Sequence, residues 1–136
     1  MIVQNLEGDI HIPIKFNKLS LLGISGSPRL KNIYFDEPMK IVKLKIPKNG
    51  IKSINSSFQN LTKLKELTMF DNQLENIDLG YIPWVRKVGI SNNPISFNRI
   101  DSLRLKYPHI NIVSYSYKQK KPGNYINKKL ENPIYE

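Results

Sequence analysis

One spacing governs what this chain can become. Leu22, Leu44, Leu67, Val88 and Ile110 occupy an equivalent position, at intervals of 22, 23, 21 and 22 residues. The clearest copy runs from Leu61 to Ile77, LTKLKELTMFDNQLENI. Its apolar residues are Leu61, Leu64, Leu67, Met69, Leu74 and Ile77, with an asparagine at Asn72. The apolar period shortens from three to two, which suits neither a continuous helix nor a lone strand. It describes one short strand, entered by a turn and left by a sharp corner. Such a unit cannot bury its apolar side alone and needs like units on its flanks.

The copies are present. Ile41, Leu44, Ile46, Asn49, Ile51 and Ile54 repeat the pattern upstream; Val85, Val88, Ile90, Asn93 and Ile95 repeat it downstream. A fainter copy uses Leu19, Leu22, Ile24 and Ser27, and an incomplete one uses Tyr107, Ile110 and Ile112. Together these positions resemble the leucine-rich repeat family, LxxLxLxxNxL, from Leu19 to about Val113. The resemblance implies an α/β solenoid, a right-handed superhelix with a short parallel β-sheet on its concave face. It also implies a non-enzymatic scaffold for protein–protein interaction, without saying which protein it binds.

Strands are expected near 21–24, 43–46, 66–69, 87–90 and 109–112, stacked in parallel about 4.8 Å apart. The segments between them are too short for a regular helix and two loops, so the convex returns should be 3₁₀ or extended. A short helix from Phe97 to Lys106, ending at Tyr107-Pro108, is the exception, with Ile100, Leu103 and Leu105 toward the core. Residues 1–18 form an N-terminal cap or a truncated first repeat. Stepping back 22 from Ile24 reaches Ile2, which favours a strand over Met1–Gln4. Alternation of Ile10, Ile12, Ile14 and Phe16 after a Gly8-Asp9 turn favours a hairpin instead. Residues 114–136 read as a basic tail.

The corner residues Asn49, Asn72 and Asn93, with Ser27 as a weaker substitute, have a structural task. Each corner turns backbone inward, and a side-chain amide supplies donors and an acceptor to adjoining turns.

The 136 residues suffice for one domain. The chain lacks cysteine, whereas extracellular members of the resembled family usually close their ends with disulfides. With no signal peptide at MIVQNLEGD and no membrane-spanning apolar run, a cytoplasmic location is expected, or the host cytoplasm or virion for a viral protein. Sequons at Asn55 and Asn60 are then incidental. Alanine is absent while Ile, Lys and Asn abound, as in an AT-rich genome. The net charge of +10 therefore reflects composition as well as any acidic partner.

Catalytic chemistry has little to stand on. The two histidines, His11 and His109, fall at opposite ends of the stack, each without a second ligand beside it, so no metal or cofactor is expected. The concave face offers more. Its outward rows read Leu21, Lys43, Glu66, Lys87, His109, and then Gly23, Lys45, Thr68, Gly89, Asn111. Further rows read Ser25, Pro47, Phe70, Ser91, Val113 and Gly26, Lys48, Asp71, Asn92, Ser114. Alternating charge makes a cross-strand ladder, with Lys48 meeting Asp71. Phe70, an aromatic among small neighbours, reads as an interface anchor. Phe70, Thr68, Glu66, Lys43, Lys45, Lys87 and Asp71 are thus the expected partner-binding residues. Trp84, beside Pro83 on a return, is expected to pack in the core or laterally rather than to bind.

The tail adds two readings. Lys118, Lys120, Lys121, Lys128 and Lys129, interleaved with Tyr115, Tyr117 and Tyr125, are suited to nucleic acid. Leu130, Asn132, Pro133 and Tyr135 resemble the ΨxNPxY peptide bound by phosphotyrosine-binding-type adaptor domains, which implies strand addition followed by a turn.

Overall fold

Alternation of outward polar and inward apolar residues in runs as short as KLK and ELT produces strands of three to four residues, each too short to stand alone. They solve this by pairing in register. The computed structural model describes residues 2–115. In chain order its strands are β1 (Ile2–Val3), β2 (Glu7–His11), β3 (Leu21–Ile24), β4 (Arg29–Tyr34), β5 (Lys43–Lys45), β6 (Glu66–Thr68), β7 (Lys87–Gly89) and β8 (Asn111–Val113). Six form one parallel sheet, in the order β1-β3-β5-β6-β7-β8; β2 and β4 form a second, two-stranded parallel sheet. The returns contain 3₁₀ turns at Ser56–Asn60 and Leu79–Tyr81 and one helix, α1 (Phe97–Lys106). No helix among the described residues is long and apolar enough to cross a membrane.

The register aligns Leu22, Leu44, Leu67 and Val88 in one buried file. Ile24, Ile46, Met69 and Ile90 are buried two residues further along each unit. From the returns, Leu30, Ile33 and Phe35, then Ile51, Ile54 and Phe58, then Leu74, Ile77, Leu79 and Ile82 complete the core. Phe35 and Phe58 meet edge to face at 5.1 Å between centroids, an arrangement the ring quadrupoles favour.

Local capping follows from residue chemistry. Asn55 accepts a bond from the Ser57 N–H, and Asp78 accepts one from the Gly80 N–H, each satisfying a donor at the start of a 3₁₀ turn. Ser96 does the same for α1 through the Arg99 N–H. Arg104 and Lys106 in the last turn of α1 complement its dipole, and Pro108 follows the Tyr107 cap.

Five expectations need correction. The file ends at Ile112, not Ile110, because Val88 pairs with Ile112. Helical residues advance about 1.5 Å each against about 3.3 Å for extended ones, so the return containing α1 consumes more residues. The last strand consequently begins at Asn111 rather than 109. Leu105 is 83% exposed; only Ile100 and Leu103 of the three face the core.

At the other end, β1 pairs Ile2 with Gly23 and Val3 with Ile24, so the step is 21 rather than 22. The hairpin reading fails. Residues 7–11 form a strand parallel to β4, with Gly8 inside it at φ 65° where the register shifts. Pairing in parallel with the next unit's return satisfies backbone groups that a hairpin would have satisfied locally.

Candidate binding surface

The corners are built from side-chain amides, and they hold the sheet face rigid. Asn49 Nδ2 donates to the carbonyls of Ile24 and Ile46, at 2.9 and 3.0 Å. Asn72 Nδ2 donates to Ile46 and Met69, and Asn93 Nδ2 to Met69 and Ile90. Each Oδ1 accepts a backbone N–H of the preceding unit: Ser27 for Asn49, Ile51 for Asn72 and Leu74 for Asn93. Ser27 is buried and accepts the Leu6 N–H through Oγ at 2.9 Å. It extends the ladder to the first unit but carries no second donor of the amide kind. No buried side-chain polar atom among the described residues lacks a partner.

Beside the amides runs a column of left-handed backbone. Asn5, Gly26, Lys48, Asp71 and Asn92 have φ of 61°, 70°, 60°, 58° and 59°. Only glycine adopts this without steric cost, yet four of the five positions carry side chains. The surrounding ladder enforces the conformation: the N–H groups of Lys48, Asp71 and Asn92 donate to the Phe70, Ser91 and Tyr115 carbonyls.

The outward rows keep their expected composition across four strands and change at the fifth. Lys43, Glu66 and Lys87 are register neighbours, but the next residue is Asn111, not His109. His109 lies before β8, its Nε2 2.6 Å from the Pro83 carbonyl. Lys45, Thr68 and Gly89 are followed by Val113 rather than Asn111. The charge ladder has one ion pair, Lys43 Nζ to Glu66 Oε2 at 3.8 Å. Lys48 does not pair with Asp71 among the described residues; Asp71 Oδ1 instead accepts from Asn92 Nδ2.

Phe70 is half-buried rather than freely projecting. Its ring lies over Gly89 of the neighbouring strand, where an added β-carbon would come within 2.4 Å of Cε1. Part of the ring is thereby spent on the protein itself. Tyr115, read as part of a tail, is buried and continues the sheet edge, its N–H donating to Ser91 Oγ. The remaining tail residues, including Lys118, Lys120, Lys121, Lys128, Lys129 and the Leu130, Asn132, Pro133, Tyr135 motif, lie outside the described residues.

Trp84 packs on the preceding return, its Nε1 donating to the Leu61 carbonyl at 3.0 Å, and is 40% exposed. It borders a shallow cleft of about 350 Å³, shared with Lys40, Lys63, Lys65 and Arg86. This rim, where the chain enters the strands, was not singled out from the sequence. Its signal is one of phase: Lys18, Lys40, Lys63 and Trp84 all stand three residues before the first residue of β3, β5, β6 and β7. A second cleft of about 250 Å³ separates α1 from the Leu79–Tyr81 turn, crossed by a 2.7 Å bond from Arg99 Nε to Asn76 Oδ1.

The sequons have a structural use. Asn55 and Asn60 donate their Nδ2 groups to the Ile33 and Phe35 carbonyls, at 2.9 and 2.6 Å. Among the described residues no group of three or more His, Cys, Asp or Glu could hold a metal ion. No family model matches the chain, and no curated protein matches it significantly.

Proposed function

We propose that this chain is a leucine-rich-repeat-type solenoid and a non-enzymatic scaffold that receives a protein partner on its sheet face. The register carries the reading: side chains at equivalent positions of successive units stand side by side on a backbone fixed from behind by the asparagine corners. Parallel strands joined through returns take a right-handed crossover almost without exception, which supports a right-handed superhelix.

Six strands about 4.8 Å apart make a face of roughly 24 Å between its outer strands, enough for a helix or loop of another protein. Lys43, Lys45 and Lys87 present amines around Glu66 and Thr68, with Phe70 at the corner side. Such a face favours a partner segment with carboxylates and one small apolar group, the charges steering encounter and the aromatic anchoring the complex. Because Phe70 already rests on Gly89, it arrives preorganised and loses little side-chain freedom on binding.

The absence of native cysteine permits a direct test. A photo-crosslinker is attached to Thr68→Cys on the sheet face, or to Gln59→Cys on a return, and exposed to native extract. The reading expects a discrete protein adduct from position 68 that Phe70→Ala suppresses. Adducts from position 59 alone, or equally from both, overturn it.

A further inference from the structure

The rim before the strands carries a second surface, chemically unlike the sheet face. Lys18, Lys40, Lys63 and Trp84 occupy equivalent places in four successive units, and Lys65 and Arg86 stand immediately before β6 and β7. The backbone ties this region together: Arg86 N–H and Lys87 N–H both donate to the Lys65 carbonyl, and Lys65 N–H donates to the Val42 carbonyl. None of these five cations forms an ion pair among the described residues. The carboxylate nearest in sequence, Glu66, is turned to the sheet face and paired with Lys43. Five cations along one edge with no paired counter-charge constitute an electrostatic track.

Trp84 distinguishes the ligand classes. Its one polar atom is committed to the Leu61 carbonyl, so what it offers outward is part of an aromatic surface in a fixed orientation. An acidic peptide would use the amines and leave the ring idle. A membrane surface would call for several protruding apolar groups; of the apolar residues lining the cleft, Trp84 is exposed, Val42 half-buried and Leu64 buried. A polyanion whose repeating unit contains both a phosphate and a flat ring uses both features. We propose that this rim binds single-stranded nucleic acid, with phosphates along Lys18, Lys40, Lys63, Lys65 and Arg86 and a base stacked on Trp84. Four units separated by about 4.8 Å give a track of roughly 14 Å, about four nucleotides at a stacked rise of ~3.4 Å. Contacts to phosphate and to a π-face carry little base information, so binding should depend weakly on sequence.

Trp84 is the sole tryptophan of the chain, so its fluorescence reports on this site alone. The full chain is titrated with an oligodeoxythymidylate fifteen nucleotides long while tryptophan emission is recorded. Two double variants remove equal charge: Lys40→Ser with Lys63→Ser on the rim, and Lys31→Ser with Lys52→Ser on the exposed returns. All other cations, those beyond Tyr115 included, are common to both. The proposal expects quenching of Trp84, a loss of affinity of about tenfold or more for the rim variant, and a loss of under about threefold for the other. Equal losses would assign binding to overall charge and overturn the proposal, as would binding without quenching, or no binding. Equal quenching by polyglutamate or by anionic phosphatidylserine vesicles would overturn the ligand class. Circular dichroism of both variants verifies that the fold is retained.

Discussion

The aromatic ring of Phe70 covers the α-carbon of Gly89 on the adjacent strand, so closely that a β-carbon there would stand 2.4 Å from Cε1. Gly89 is buried beneath a residue that otherwise faces outward. A side chain expected to anchor a partner is thus also a lid over its neighbour's backbone.

Two glycine substitutions separate movable from immovable neighbours. Gly89→Ala meets the far end of a side chain that can rotate away, and should cost under about 1 kcal/mol while releasing Phe70 to solvent. Gly50→Ala meets the Pro28 carbonyl oxygen at 2.2 Å, and backbone must shift to admit it. Its cost should reach about 2–3 kcal/mol, the upper range for overpacking. Urea unfolding of both variants decides: equal costs would show that the Phe70 ring is fixed as firmly as backbone.

Asn72→Leu should destabilise by about 1–3 kcal/mol, since it leaves the buried Ile51 N–H without its acceptor and takes one of two amide donors from each of the Ile46 and Met69 carbonyls, which keep Asn49 and Asn93. Asn72→Asp keeps the acceptor for Ile51 but sets a buried carboxylate against the Ile46 and Met69 carbonyl oxygens, so it should recover little of that. A midpoint for Asn72→Leu within error of wild type would mean that the corner does not depend on the amide.

Lys48 has an exposed side chain on a backbone held at φ 60°. Lys48→Val places a branched β-carbon in that conformation and should cost about 1–2 kcal/mol. Lys48→Gly relieves the steric cost but gains unfolded-state freedom, leaving stability within about 1 kcal/mol of wild type. Thermal melts should rank valine well below glycine; the reverse order would sink the argument.

Glu66→Gln breaks the Lys43 ion pair but should change stability by less than about 1 kcal/mol, because both side chains are about half exposed and the 3.8 Å contact is long. The small difference should shrink further in 1 M salt. Any effect on partner capture would therefore arise at the interface rather than from folding.

The unit length, the inward residues of the middle strands and the asparagine corners were all legible in the chain, because each depends on pattern within one unit. Lys43, Glu66 and Lys87 could be placed side by side for the same reason. The row beyond them could not: the ten-residue helix α1 in one return displaces the next strand by two residues, and no local signal at Ile110 distinguishes it from Ile112. The rim was missed because lysine is abundant throughout the sequence. Only the common phase of Lys18, Lys40, Lys63 and Trp84 sets those positions apart.

By itself the order of residues determined which side of each short segment is apolar and how often such segments recur, since both are properties of neighbours along the chain. Tertiary structure alone decided that β2 lies parallel to β4, that Phe70 rests on Gly89, and that Trp84 joins a row of amines. The physical reason is separation: β2 and β4, Phe70 and Gly89, and Trp84 and Lys63 lie 19 to 23 residues apart, and their meeting depends on the whole path of the intervening return.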